Sequence, residues 1–166
     1  MKNQTIPLKV QNSRSDKKTM LAGILRSLFK TIEYAFTGRL HFKKQRLGQV
    51  VTSDDGRDYT IFREVVVDRG PDQPEKPNTV FVLRFQVTNL SSKQNQLFSL
   101  LPIPLYVGFP GFRSKIYTID QSYCQSIYEF DSVQDAENYS QSAALKFITR
   151  RSVPGSVSSK IIPAKS

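Results

Sequence analysis

Arg84 interrupts an otherwise apolar run, Thr79 to Thr88. A charge at such a position must be paired or solvated, because an isolated charge taken out of water is costly. Arg113, Lys115 and Glu129 fall on two further strand-like segments, and Tyr117 and Tyr128 accompany them. If Arg84 faces a pocket, it pairs with Glu129 or binds an anionic group of a ligand. The plainer reading is a structural ion pair or a contact between subunits. Tyr106, Phe109 and Phe112 would line a small apolar pocket or pack the core. The candidate ligand-binding residues are therefore Arg84, Tyr106, Phe109, Arg113, Tyr117, Tyr128 and Glu129. No residue is singled out as catalytic.

Several chemistries fall away on residue counts. His41 is the single histidine, so a Ser-His or Cys-His nucleophile would have to use it. It lies in a basic stretch, Arg39 to Arg46, and reads as a surface residue. Cys124 is the single cysteine, which excludes an internal disulfide and metal sites of Cys₄ or Cys₂His₂ type. No histidine occurs in residues 79–166, so haem held by a core histidine is excluded. Gly108 to Gly111 is a turn before a strand, and nothing in it resembles a phosphate-binding loop. No cofactor is expected.

The elements that must position these side chains follow from periodicity. Phe81, Leu83, Phe85 and Val87 line one face of a strand, and Val80, Val82, Arg84 and Gln86 the other. Ser91 and Gln94 form a capping box that opens a helix, which Pro102 and Pro104 end. Phe112–Asp120 and Tyr123–Phe130 are strands of a tight hairpin, separated by Gln121 and Ser122 alone. Ser132 and Asp135 open a second helix carrying Val133, Ala136, Tyr139, Ala143 and Phe147 on one face, up to Arg150 and Arg151. Pro154 stops it, and Ser156–Ile162 is the last strand. The order β-α-β-β-α-β predicts an α+β, ferredoxin-like domain: an antiparallel four-stranded sheet with both helices on one face. The bare face needs cover, from a second subunit or from the N-terminal helix and hairpin.

Upstream, the pattern is different. Lys17 to Thr37 has helical periodicity, with Leu21, Ile24, Leu25, Leu28, Ile32 and Ala35 on one face, Asp16 as N-cap and Gly38 after the end. Gly48–Thr52 and Tyr59–Asp68 flank an Asp-Gly turn and read as a β-hairpin. The expected organisation is a mobile tail at 1–16, a helix-and-hairpin extension at 17–68, a Pro-rich linker or loop at 69–78 and the ferredoxin-like domain at 79–166. The charge follows the same division. Residues 1–48 hold eleven basic and two acidic side chains, whereas the rest of the chain is nearly neutral.

Three segments resemble the dimeric α/β-barrel superfamily, which includes monooxygenases of the antibiotic-biosynthesis type. They are Gly108-Phe109-Pro110-Gly111-Phe112, Tyr128-Glu129-Phe130-Asp131-Ser132 with Ala136-Glu137-Asn138-Tyr139, and Ser152-Val153-Pro154-Gly155-Ser156. The resemblance covers about half the chain and specifies fold more than chemistry. It implies a homodimer closed sheet to sheet, with a pocket between sheet and helices in each protomer. It also implies a small, apolar or aromatic ligand, with cofactor-independent, monooxygenase-like chemistry as one use of it.

The residues also bear on two other kinds of partner. RNA recognition would need a long aromatic pattern on the third strand, but Tyr123 to Phe130 lacks its basic residue and its glycines and adds Glu129. With a neutral core, this argues against nucleic acid. The basic amphipathic helix offers a non-catalytic alternative, an interaction or assembly role at an anionic membrane surface or on a protein partner. Its contact residues would be Lys17, Lys18, Leu21, Leu25, Arg26, Leu28 and Phe29. The expected location is cytoplasmic, peripheral to a membrane in that alternative.

Overall fold

The computed structural model describes residues 13–87 and 91–164, with side chains from residue 21 onward except Ser92. The tail expected at 1–16 lies outside the described residues up to position 12. Among the described residues, seven strands form one antiparallel sheet, and five helices accompany it. The strands are β1 (Leu40–Lys43), β2 (Val50–Thr52), β3 (Asp58–Val67), β4 (Thr79–Gln86), β5 (Phe112–Asp120), β6 (Tyr123–Phe130) and β7 (Ser158–Pro163). The helices are α1 (Ser13–Phe36), α2 (Ser92–Phe98), α3 (Ile103–Tyr106), α4 (Val133–Ser140) and α5 (Ala143–Thr149). The sheet runs β1-β3-β5-β6-β4-β7, and β2 pairs with the first half of β3.

The α+β class holds, but the sheet is larger than the four strands predicted. The long hairpin strand β3 does not stand apart from the domain sheet. It pairs with β5 from Thr60–Ile119 to Val66–Ser114 and brings β1 and β2 with it. A strand with unpaired N–H and C=O groups at the sheet edge accepts such an addition readily. The predicted second helix is also two helices. Ser142 breaks it, because its hydroxyl accepts the Leu145 N–H and caps α5. The Ser91–Gln94 capping box forms as read, as does the Ser132 cap on Asp135.

One sheet face is packed by the helices. Phe81, Leu83, Tyr128 and Phe130 meet Tyr106, Val107, Ala136, Tyr139 and Leu145 there. The opposite face carries Val80, Val82, Arg84, Gln125, Ile127 and Glu129. The turn after β2 covers part of it. Ser53 Oγ donates to Gln125 Oε1 at 2.6 Å, Arg84 pairs with Asp54, and Tyr59 OH donates to Asp55 Oδ2 at 2.8 Å. Val80, Val82 and Ile127 remain half-buried, and Ile162 is exposed.

Helix α1 starts at Ser13, so Asp16 lies inside it rather than capping it. Gly38, at φ 70°, ends it as expected. The sequence left open whether its apolar face packs or faces outward. The buried side is Ser27 and Thr31, whose hydroxyls reach the carbonyls of α3: Ser27 Oγ lies 3.0 and 2.9 Å from Pro104 O and Leu105 O, and Thr31 Oγ1 lies 3.2 Å from Pro104 O. These are carbonyls that a four-residue helix leaves without intrahelical partners. Gly108 permits the approach, since a Cβ there would sit 2.2 Å from Ser27 O. Leu21, Leu25, Phe29, Ile32 and Phe36 consequently form an exposed apolar stripe, with Phe36 at 89% exposure. Among the described residues, no helix is long and apolar enough to cross a membrane.

Candidate functional site

Lys115 sits at the middle of β5, opposite Val65 on β3 and Tyr128 on β6. Its side chain points into the helix-covered side and is 1% exposed. The amine stands 3.9 Å from the ring centre of Tyr117, 4.5 Å from Tyr128 and 4.6 Å from Tyr106. Three π-faces suit a cation, but among the described residues no carboxylate comes with them. Burial is the main force on the amine and lowers its pKa well below the ordinary value. The Arg63 charge pushes the same way, and Cys124 pushes weakly against it.

The tyrosine hydroxyls are tied into the frame. Tyr117 OH donates to Ser99 O at 3.1 Å. Its one hydrogen is then used, so Tyr106 OH must be the donor across the 2.7 Å Tyr106–Tyr117 contact. Tyr139 OH donates to Tyr128 OH at 3.3 Å. Burial is the first cause holding the Tyr106, Tyr117, Tyr128 and Tyr139 phenols above their ordinary range, so they stay neutral. Arg63 ties β3 to the end of α2, donating to Gln96 O at 3.0 Å and to Ser99 Oγ.

A pocket of about 460 Å³ opens from Lys115 between the sheet and helices α2 and α5. Phe62, Phe85, Phe98, Phe147 and Ile148 make its walls apolar. Cys124 is part of the lining. Burial raises its thiol, and Asn95 Nδ2 donates to its sulfur at 3.1 Å. Arg150 and Arg151, both exposed, stand at the rim, and the Arg151 guanidinium lies 4.9 Å from the Phe98 ring centre. Such a site can hold a flat apolar body, present an unpaired amine to its inner end and meet an anionic group at the rim. Among the described residues, no group of His, Cys, Asp and Glu side chains is placed to hold a metal ion.

No family model matches the sequence, and no curated protein matches it. Among solved structures, a crystal structure of an anthrone oxidase-like protein is similar over 66% of this chain and 57% of that chain, at TM-score 0.42 and 21% identity. The matched part thus spans little more than half of that protein's length. The functional reading rests on the pocket of this chain itself.

The residues expected to bind ligand occupy different places. Tyr106, Tyr117 and Tyr128 converge on Lys115. Phe109 packs edge-on against Tyr139, 5.2 Å between centres. Arg84 and Glu129 lie on the opposite sheet face and do not meet. Arg84 bonds to Gln125, Ser53 and Asp54, and Glu129 Oε2 accepts from Ser114 Oγ at 2.6 Å. Arg113 falls at a register shift between Phe112 and Ser114 and turns away from Lys115. It bonds Asp131 Oδ1 and Pro74 O, each at 3.0 Å, and so anchors the Pro-rich loop. His41 lies on β1 with its Nε2 2.7 Å from Asp68 Oδ2.

Sequence reasoning named Lys115 but did not place it in the site, and it missed Arg63 and Cys124 there. One signal was present. Lys115 is the fourth residue of a nine-residue strand, and the residues beside it on the same face, Val65, Arg63, Tyr117, Ser126 and Tyr128, include no acid. A lysine so placed has no partner with which to form an ion pair.

Proposed function

We propose that this protein is a ferredoxin-like α/β-barrel homodimer that binds a small apolar or aromatic molecule in the pocket beneath α2 and α5. The observation that carries the reading is an apolar-walled pocket of about 460 Å³ ending on a buried amine that has no ion-pair partner among the described residues. Binding sites combine such walls with few polar groups. The strands β5-β6-β4-β7, all antiparallel, have the order of a βαββαβ unit, which supports the ferredoxin-like assignment. The half-buried Val80, Val82 and Ile127 with exposed Ile162 are the surface that a second copy would cover. Cofactor-independent oxygenation needs an electron-rich aromatic held away from bulk water, and these walls suit that task.

Titration with 1-anilinonaphthalene-8-sulfonate, an aromatic anion, tests the pocket. The wild type should show saturable binding, and Phe147→Glu, at the half-exposed rim, should weaken it at least tenfold. A non-saturating rise equal in both proteins overturns the reading. Sedimentation equilibrium tests the dimer, with Val82→Lys expected to shift it toward monomer.

The outward apolar stripe of helix α1 favours a second role, docking on an anionic membrane surface. A helix that buries hydroxyls and exposes Leu21, Leu25, Phe29, Ile32 and Phe36 presents the apolar side that inserts among headgroups. Arg26 is exposed on the same helix; Lys17 and Lys18 have side chains outside the described set. Flotation with phosphatidylglycerol-containing vesicles should carry the wild type upward and leave Phe29→Asp behind. Wild-type protein remaining at the bottom of the gradient refutes it.

A further inference from the structure

The geometry points to Lys115 as a nucleophilic amine that forms an imine with aromatic aldehydes or ketones bearing an acidic substituent; this rests on the pocket being a small-molecule site. Three observations combine. The pocket reaches Lys115, its walls are aromatic, and the only cations at its rim are Arg150 and Arg151 among the described residues. A flat carbonyl compound entering with its acidic end outward leaves that end at the arginines and its apolar body between Phe62, Phe85 and Phe98.

An ordinary surface lysine is protonated near neutrality and has no free electron pair. Desolvation and a neighbouring cation remove that obstacle, which is how amines in apolar pockets become nucleophiles. Both conditions exist at Lys115. Its side chain is 1% exposed, and Arg63 is a diagonal neighbour on β3, one position along from the Val65–Lys115 pair on the same face. The groups facing the amine are the rings of Tyr106, Tyr117 and Tyr128, the Arg63 guanidinium and the Cys124 thiol. None is a carboxylate that would restore the charge. The Tyr117 hydroxyl is spent on Ser99 O, and Tyr106 OH on Tyr117, so neither ties up the amine as a hydrogen-bond donor.

The step is a condensation without redox change. The lone pair of Lys115 Nζ forms a bond to the carbonyl carbon. The carbonyl oxygen then leaves as water with the two hydrogens of the neutral amine, and a carbon–nitrogen double bond remains. An apolar surround favours this product by keeping hydrolytic water out.

The test uses 4-formylbenzoate and sodium cyanoborohydride at pH 7 with the full chain, followed by intact mass measurement and peptide mapping. The expected result is one reduced adduct per chain on Lys115, forming at least tenfold faster than adducts on exposed Lys93 or Lys146. Lys115→Met should lose that fast adduct and keep the slow ones, with its far-ultraviolet circular dichroism unchanged. Competition against 1-anilinonaphthalene-8-sulfonate separates the two readings. If 4-formylbenzoate displaces the probe but Lys115 is modified no faster than Lys93, the imine is refuted and the pocket stands. If the probe does not bind saturably and Lys115 is unmodified, both fail.

Discussion

Replacing Lys115 by methionine should make the protein more stable at neutral pH, by an amount that disappears in alkali. Methionine keeps most of the apolar stem between the three tyrosine rings and removes the amine. In the unfolded chain that amine stays protonated up to about pH 10.4. In the fold, burial first and Arg63 second lower its pKa, so over the window between the lowered and the ordinary value the unfolded chain binds more protons. Wild-type stability therefore rises with pH through that window, by up to about 1.4 kcal/mol per unit. At pH 7 the cost cannot exceed about 4.6 kcal/mol, the free energy of holding an ordinary lysine neutral there. Cation–π attraction from three rings, on the order of 1 kcal/mol each, works the other way by favouring the charged form. With burial as the first force on the amine, we expect Lys115→Met to be the more stable protein at pH 7, by no more than that ceiling, and the gain to fall to about 0 near pH 10. Urea unfolding of both proteins at pH 7, 8.5 and 10, followed by circular dichroism, measures the difference. Tyrosine ionisation in the unfolded chain is common to both and cancels. A variant less stable than wild type at pH 7, or a gap that does not shrink with pH, would show the rings holding a charged lysine and would remove the basis for a free amine.

Three further outcomes follow from other parts of the molecule. Gly108→Ala places a methyl 2.2 Å from Ser27 O and 2.8 Å from Lys30 Cβ, so it should cost about 1–3 kcal/mol and speed hydrogen exchange across residues 21–36; unchanged exchange there would contradict the close contact of α1 with α3. Arg113→Ala should cost about 3 kcal/mol and open the 70–78 loop to proteolysis, because Arg113 and Asp131 are only 10% and 12% exposed, whereas Arg84→Ala, whose partner Asp54 is 54% exposed, should cost about 1 kcal/mol in thermal unfolding. The Cys124 thiol, held up by burial, should react with an aromatic disulfide reagent at pH 8 at least a hundredfold more slowly in the native protein than in urea; comparable rates would mean that the pocket is open to solvent at the sulfur.

The parts legible in the sequence were those set by neighbours along the chain. Alternation and turn residues placed β5 and β6 at their observed bounds, and the Ser91 and Ser132 caps needed only a side chain three residues from its partner. What escaped was non-local. Four residues, Leu40 to Lys43, among lysines and arginines carry no strand signal, yet they pair with Val67 to Glu64 once β3 is in place. The apolar period of α1 was visible, but its outward direction was not. Ser27 and Thr31 win the buried side because Pro104 and Leu105, more than seventy positions away, offer carbonyls that lack partners. Simple alternation puts Arg113, Lys115 and Tyr117 on one face. The shift between Phe112 and Ser114 sends Arg113 to the Pro-rich loop and leaves Lys115 with the tyrosines.

The order of the strands also governs how copies of this chain can meet. One border of the sheet is broken into β1 and β2, four and three residues long, too short to template a further strand. The other border, β7, carries the exposed Lys160 and ends at Pro163, which has no N–H to offer. Both rims are thus poor at growing into a continuous ribbon, and fibrous stacking by backbone ladders is disfavoured. Self-association is left to side chains meeting broadside.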